Sequence, residues 1–558
     1  MSERPFAWER SYPPGVSWDA PISVSTLPGH LDKAVAAFGP QRAFEYRGFS
    51  MSYDGLGQAA ATAAAAFLRA GIGRDMSLAI YLPNTLHHPI CFFGGLRTAA
   101  RLVMLSPLDA ERELVHKVTD SGARLLVTTD IGQMLPMALK LLDAGRVDKV
   151  VVCEESAWGD FPAPLAEIPD RPDVVRWSDF TAGVEIPSDW PALVPEDIAV
   201  LQYTGGTTGL PKGAILTHAN LSASTAIYNA WYAGQGLTEP GKERAICVLP
   251  LFHIYALTTI LLRQLGNGNE ILLRLRFDLD TVFHDIEKNR ATSFPGVPTM
   301  WIAITNSPGL EDRDFSSLRH SNSGGAPLPV EIGRRFTQRT GLRLLGGWGM
   351  TETAPAGSNL PLKGPEKPGS IGLPMPGIEM GIVALDDPTR DLPLGEVGEI
   401  RIKGPNVTSG YWNKPEETKA AFADGYFLTG DIGLMDEDGY LFIVDRKKDM
   451  ILSGGFNVYP QMIEQAIYEH PAVAEVSVIG IPDDYRGEAA KAFVALKPGA
   501  DPFTLDELKA FLADKVGRHE MPQYLEIRDA LPRSPVGKLL KTSLREDERR
   551  KASSAAGS

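Results

Sequence analysis

Short apolar runs alternate with helix-length segments through the first 290 residues, and this alternation constrains the fold more than any other feature. Tyr53–Ala70 is Ala-rich and helical in pattern, Ser77–Leu82 (SLAIYL) has the run of a buried strand, and His88–Ala100 is helical again. Leu125–Thr129, a helical Met134–Ala144 and a strand Lys149–Cys153 continue the series. It resumes with strand Ile198–Tyr203, helix Ala219–Trp231, strand Ala245–Pro250 and helix Asp280–Asn289. Strands joined by helical crossovers run parallel, and both faces of such a sheet are covered by the helices. The expected class is α/β, built from βαβ-type sheets.

The pattern changes twice further on. From about Gly369, short strands with frequent Gly and Pro (EVGEIRIKG, GYLFIVD) indicate a β-rich subdomain. After DRKKDM a helix at Gln461–Glu469, strands AEVSVIGI and KAFVALK and a helix at Leu505–Val516 indicate a small α+β domain. The chain is therefore divided into a large domain over 1–444, a boundary at 445–448 and a small domain over 449–558. The tail after Arg545, alternating in charge and ending KASSAAGS, is expected to fray.

Composition excludes several classes. A net charge of −14 argues against nucleic-acid binding, which needs a basic face. The three cysteines, Cys91, Cys153 and Cys247, are far apart and lack metal-ligand spacing, so a reducing, cytoplasmic setting without disulfides is expected. The start, MSERPFAWERSYPPG, places charges and prolines where a secretory signal needs an apolar run. The richest apolar stretch, Ala59–Leu68, is well short of the roughly 20 residues that span a bilayer. No transmembrane segment is expected, while peripheral membrane contact and oligomeric state stay open.

The segment Tyr203–Gly213 (YTGGTTGLPKG) follows a strand and holds four glycines and three threonines. Small residues let main-chain N–H groups converge on an anion, and hydroxyls add donors. The sequence differs from a Walker loop because Leu210 and Pro211 separate Gly209 from Lys212, and no Ser or Thr follows the lysine. Further on stand GWGMTET (Gly347–Thr353), GYFLTGD ending at Asp431, DRKKDM (Asp445–Met450), SGGFNVYP (Ser453–Pro460) and LPRSPVGK ending at Lys538.

With these motifs in this order, the chain resembles the acyl-adenylate-forming superfamily. That superfamily holds acyl-CoA synthetases, peptide-synthetase adenylation domains and firefly-type luciferases. The wording is nearest that of medium- and long-chain fatty acyl-CoA synthetases. The resemblance implies an AMP-forming carboxylic acid–CoA ligase that uses ATP, Mg²⁺ and coenzyme A. It makes Thr204, Gly205, Gly206, Thr207, Thr208, Gly209 and Lys212 the phosphate loop, with Thr207 and Glu352 toward magnesium and Thr351 a phosphate contact. Gly325, Ala326 and Pro327, with Gly347, Trp348 and Gly349, would wall the adenine; the family often has Tyr where Trp348 stands. Asp431 would bind the ribose hydroxyls, Arg446 would be a second ribose or phosphate contact, and Lys448 would be the hinge. Gly454, Gly455 and Phe456 would border the pantetheine path. Lys538 would be the catalytic lysine, bridging carboxylate and α-phosphate so that two anions can meet. The thiol belongs to CoA, so no protein nucleophile is required.

For the acid pocket, the resemblance implies His253 of LPLFHIYAL as a gate beside the carboxylate. Phe252, Val297, Trp301, Gly324 and Met350 would be the lining. No aspartate stands in that run to meet an amino-acid ammonium, which disfavours amino acids. A fatty acid is expected. Aryl and dicarboxylic acids, and transfer of the acyl group to a carrier protein, remain as alternatives.

Overall fold

The computed structural model describes residues 4–204, 210–453, 456–483, 485–533 and 539–556. The alternating segments fold as the sequence suggests. Leu125–Thr129 and Lys149–Cys153 are strands with those limits, and the helices Tyr53–Arg69, His87–Arg97 and Met134–Asp143 fall between strands.

Three sheets organise the chain. The first has seven strands in the order 174–176, 149–153, 125–129, 77–80, 101–104, 198–204, 212–217. All its neighbours are parallel except the last two, which form an antiparallel hairpin. Its strands read as unbroken apolar runs because both faces are covered; Leu125–Thr129 is buried at every position.

The second sheet has 14 strands and changes character along its length. Strands 42–46, 270–273, 244–247, 293–296, 320–323 and 344–348 are parallel neighbours. From Leu344–Trp348 the ladder passes through antiparallel strands 358–359 and 370–374 into 441–446, 426–435, 398–403 and 379–383. The β-rich segment expected after Gly369 is thus continuous with the parallel sheet. This continuity brings Trp348 and Arg446, at strand ends, and Asp431, within a strand, to one place.

The third sheet belongs to the C-terminal part: 456–458, 451–453, 487–496 and 473–483 in order, with 524–528 parallel to 487–496. The chain leaves the large sheet at Arg446 and enters this one at Ile451. Asp445, buried at the end of the outgoing strand, accepts from the Arg446 N–H at 2.6 Å and from the Gln461 N–H at 2.9 Å. Gln461 lies in the first turn of helix Pro460–Tyr468, where donors lack intrahelical partners. Lys541 reaches Glu464 at 2.8 Å. Burial would lower its pKa, but Glu464, Asp445 and Asp449 outweigh that and raise it.

The tail corrects one expectation. Lys541–Ala556 is a helix, with Leu544 buried and the alternating charges engaged. Arg545 meets Asp449 at 2.9 Å, Glu548 meets Lys491 at 2.8 Å, and Asp547 meets Arg528 at 2.9 Å. A run that looks like a solvated tail is an ion-paired helix lying across the small sheet. All three cysteines are buried and free. Among the described residues, no helix is long and apolar enough to cross a membrane.

Candidate active site

The segment from Thr204 to Lys212 is entered and left through a hairpin. Thr204 ends strand Ile198–Thr204, Lys212 opens Lys212–Thr217, and the two are cross-strand partners. Gly205, Gly206, Thr207, Thr208 and Gly209 lie outside the described residues, as do Gly454, Gly455 and Lys538. The ammonium of Lys212 sits over the ring of Tyr411, 4.6 Å from its centroid.

Beside it, Thr351–Thr353 forms one 3₁₀ turn after Met350. Thr353 Oγ1 accepts from the Met350 N–H at 3.0 Å, which closes the turn. Asn406 clamps the far side, its Nδ2 donating to the carbonyls of Thr353 and Ala356 at 2.6 and 2.8 Å. Gly349 is required here, since a Cβ on it would lie 1.4 Å from the Pro355 carbonyl oxygen. The turn places Glu352 inside, 4% exposed. Its Oε1 accepts from the Tyr411 hydroxyl at 2.8 Å, and the Thr408 N–H donates to its carbonyl at 2.7 Å. Burial pushes the Glu352 carboxyl up in pKa, against the smaller opposing pulls of Tyr411, its own N–H, Arg446 and Lys212.

The carboxyl group keeps lone pairs beyond the one that accepts from Tyr411. Among the described residues no group of three His, Cys, Asp or Glu could hold a metal ion. Magnesium typically takes one or two carboxylates and completes its shell with phosphate oxygens and water, so a lone buried carboxylate fits it.

The corner around Asp431 follows from strand register. Asp431 and Arg446 are partners across Tyr426–Met435 and Leu441–Arg446. Arg446 Nε meets Asp431 Oδ1 at 3.2 Å, while Trp348 Nε1 donates to Oδ2 at 2.7 Å. Each oxygen keeps a lone pair for a further donor. The hydroxyl lost by having Trp in place of Tyr is thus replaced by an N–H with a buried partner. Gly347, paired with Asn359 across the strands, and Gly357, whose Cβ would meet the Trp348 ring at 2.5 Å, fix the indole. Lys448 is exposed on the next turn. Phe456 is 59% exposed and lies 5.2 Å from the His519 ring.

On the acid side, His253 opens helix Ile254–Ala256, its Nδ1 accepting from the Tyr255 N–H at 3.2 Å. The Phe252 carbonyl accepts from Gln202 Nε2 at 2.9 Å, which ties this corner to the strand ahead of the phosphate loop. Gly325 has φ +79°, a left-handed conformation that favours glycine, and a Cβ there would lie 3.5 Å from Val297. Ala326 and Pro327 follow at the surface. Beneath Gly324, a Cβ would strike the Tyr255 ring at 2.9 Å. Met350 is partly buried against the core of the second sheet. Trp301 is 1% exposed, packs against Phe294 and Phe336 at 5.0 and 5.2 Å, and donates to the Asn322 carbonyl at 3.1 Å.

The profile of the AMP-binding enzyme family matches residues 31–412, and that of the AMP-binding enzyme C-terminal domain matches 462–538. The chain belongs to the AMP-binding enzyme family. The relatives of this AMP-binding enzyme include a long-chain-fatty-acid–CoA ligase of Bacillus subtilis (strain 168), 37% identical, with 98% of this chain and 99% of the relative covered. A feruloyl-CoA synthase of an Amycolatopsis species is 36% identical over 90% of this chain and 95% of its own. Among solved structures, ATP-bound MatB from Rhodopseudomonas palustris superposes with a TM-score of 0.84 at 28% identity, covering 94% of this chain and 99% of that one.

Two residues of this AMP-binding enzyme's site escape a reading by motif. Tyr411, in SGYWNKP, bonds Glu352 from 59 positions away, and Asn406 holds the turn that carries Glu352. Their only sequence signal is a Gly/Asn/Pro-rich run between two strands, which reads as an ordinary loop.

Proposed function

We propose that the chain is an AMP-forming carboxylic acid–CoA ligase acting on long-chain fatty acids in the cytoplasm. The observation that carries this reading is the convergence of Glu352, Lys212, Asp431, Arg446 and Trp348. Tyr411 joins Glu352 to Lys212 through its hydroxyl and ring, and Asp431 binds Arg446 and Trp348 directly. The full-length likeness to a long-chain-fatty-acid–CoA ligase supports the substrate.

Asp431 and Arg446 would hold the ribose of ATP, with Trp348 and the Gly325–Ala326–Pro327 turn beside the adenine. Lys212, Thr204 and the loop threonines would hold the phosphates. Glu352 and Thr207 would hold Mg²⁺, with Thr351 next to Glu352 in the chain as a phosphate contact; the ion when bound supplies charge neutralisation to the triphosphate. Lys538 draws the acid carboxylate to the α-phosphorus, and pyrophosphate leaves. The small domain, 449–558, then turns about 445–448, withdraws Lys538, and brings Phe456 and its neighbouring glycines along the path of the CoA thiol, which displaces AMP. His253, Phe252, Val297, Gly324 and Met350 would border the acyl group.

A second reading, an aryl acid, is favoured by Tyr255 closing the space under Gly324 and by the feruloyl-CoA synthase relative. AMP release measured with MgATP, CoA and a panel of straight-chain acids, α,ω-dicarboxylates, benzoates and cinnamates decides between them. CoA-dependent turnover peaking on long straight chains is expected; a peak on cinnamates replaces the fatty acid with the aryl acid. Turnover on none of them overturns the ligase. Lys538→Ala is expected to abolish adenylation and spare thioester formation from supplied acyl-AMP, and equal loss of both overturns the domain turn.

A further inference from the structure

We propose that Tyr411 is a positioning residue that sets the spacing between the two charged groups facing the nucleotide's phosphates, Glu352 and Lys212. The inference rests on the reading of Glu352 as a magnesium ligand given above. Nothing in the family profile or in the names of the relatives assigns Tyr411 a part.

One rigid side chain contacts both groups in different ways. Its hydroxyl donates to Glu352 Oε1 at 2.8 Å, and its ring face carries the Lys212 ammonium 4.6 Å from the centroid. A phenol has a fixed distance from ring to hydroxyl, so holding it fixes the separation of carboxylate and ammonium. The phenol is itself held. Tyr411 forms an isolated antiparallel bridge with Ala214, two residues after Lys212. The Ile215 N–H donates to the Gly410 carbonyl at 3.0 Å, and the Trp412 N–H donates to the Gly213 carbonyl at 2.8 Å. The Tyr411 N–H donates to Thr418 Oγ1 at 2.9 Å. Thr408, three residues earlier, grips both neighbours, its N–H on the Glu352 carbonyl at 2.7 Å and its hydroxyl on the Ile215 carbonyl at 2.6 Å. Gly410 must be glycine, since its φ is +142° and a Cβ would lie 2.3 Å from Thr418.

Residues 408–412 therefore form a strap stitched to the strand that begins with Lys212, with a phenol projecting from it to the carboxylate. A tyrosine that merely satisfied a buried carboxylate would need neither the strap nor the stacked lysine. Groups that orient a metal ligand from behind are typically worth about 10–100-fold in metal affinity.

The test uses Tyr411→Phe, which removes only the hydroxyl, and Tyr411→Leu, which removes the ring as well. Mn²⁺ binding to the full-length protein in the presence of ATP is followed by electron paramagnetic resonance, and ATP binding without metal by calorimetry. Tyr411→Phe is expected to weaken Mn²⁺ binding roughly tenfold while leaving metal-free ATP binding unchanged. Tyr411→Leu is expected to weaken both. The KM for the acid stays that of the wild type in Tyr411→Phe, whereas general loosening of the fold would move it. Wild-type metal affinity in Tyr411→Phe overturns the inference. Failure of the wild-type protein itself to bind Mn²⁺ with ATP overturns instead the assignment of Glu352.

Discussion

The indole N–H of Trp348 donates to Oδ2 of Asp431 at 2.7 Å, joining the last residue of a parallel strand to an antiparallel strand of the same sheet. The bond leaves the carboxylate oriented by two donors, Trp348 on one oxygen and Arg446 on the other. Trp348→Phe keeps the aromatic face and removes the donor. ATP affinity measured by calorimetry should fall roughly tenfold, as expected for losing one hydrogen bond to a charged group. The KM for the acid should not move.

Gly349 packs where no side chain fits. Gly349→Ala places a Cβ 1.4 Å from the Pro355 carbonyl, so the turn holding Glu352 must rearrange. Several kcal/mol of destabilisation is expected, about the range for gross overpacking or worse, with pyrophosphate exchange abolished. Gly73→Ala meets only a carbonyl oxygen at 3.9 Å and serves as the silent control in the same melting experiment.

That Asp431, Arg446 and Glu352 belong together is expected from the order of motifs that resemble the acyl-adenylate-forming superfamily; by residue type alone Glu352 reads as a solvated loop residue and DRKK as a surface charge run. What could not be read is what depends on pairing across the chain. Tyr411 meets Glu352 only because residues 410–412 pair with 213–215, a register no local pattern encodes. Trp348 reads as an aromatic surface; its N–H partner follows from the antiparallel continuation of the sheet. The helix 541–556 shows little apolar periodicity because ion pairs to Asp449, Lys491 and Arg528 hold much of it.

Three buried histidines make the large domain sensitive to mild acid. Desolvation lowers His88 to about 3, His218 to about 4 and His320 to about 3. Folded values below the unfolded value mean that the unfolded chain takes up protons first. Stability is therefore complete above about pH 6.5 and falls as pH drops from there toward 4, by roughly 1.4 kcal/mol per pH unit for each histidine. Denaturant unfolding at pH 8, 6 and 5 should show proton uptake that rises from near zero at pH 8 to about three at pH 5. A flat profile over that range contradicts the neutral burial of all three.

Arg263 and Glu243 form a buried pair at 4.0 Å, with the guanidinium also 4.5 Å from the Tyr232 ring. Arg263→Met strands the carboxylate in the core, and a loss of about 3–5 kcal/mol is expected in denaturant melts. Adding Glu243→Gln should restore much of it, because the cost lies in the uncompensated charge. Equal losses in the single and double variants contradict that account.

Asp445 has one further consequence. It ends a strand of the large sheet yet caps the first helix of the small domain through Gln461, and it helps neutralise Lys541. A turn of the small domain that leaves Asp445 behind strips that helix of its cap and Lys541 of one counter-charge in the same movement. The orientation seen here is thus held by a clasp whose two halves belong to different bodies. Its release leaves a bare carboxylate next to Arg446, the residue that meets Asp431 at 3.2 Å, so the clasp and the Asp431 pair share one short stretch of strand.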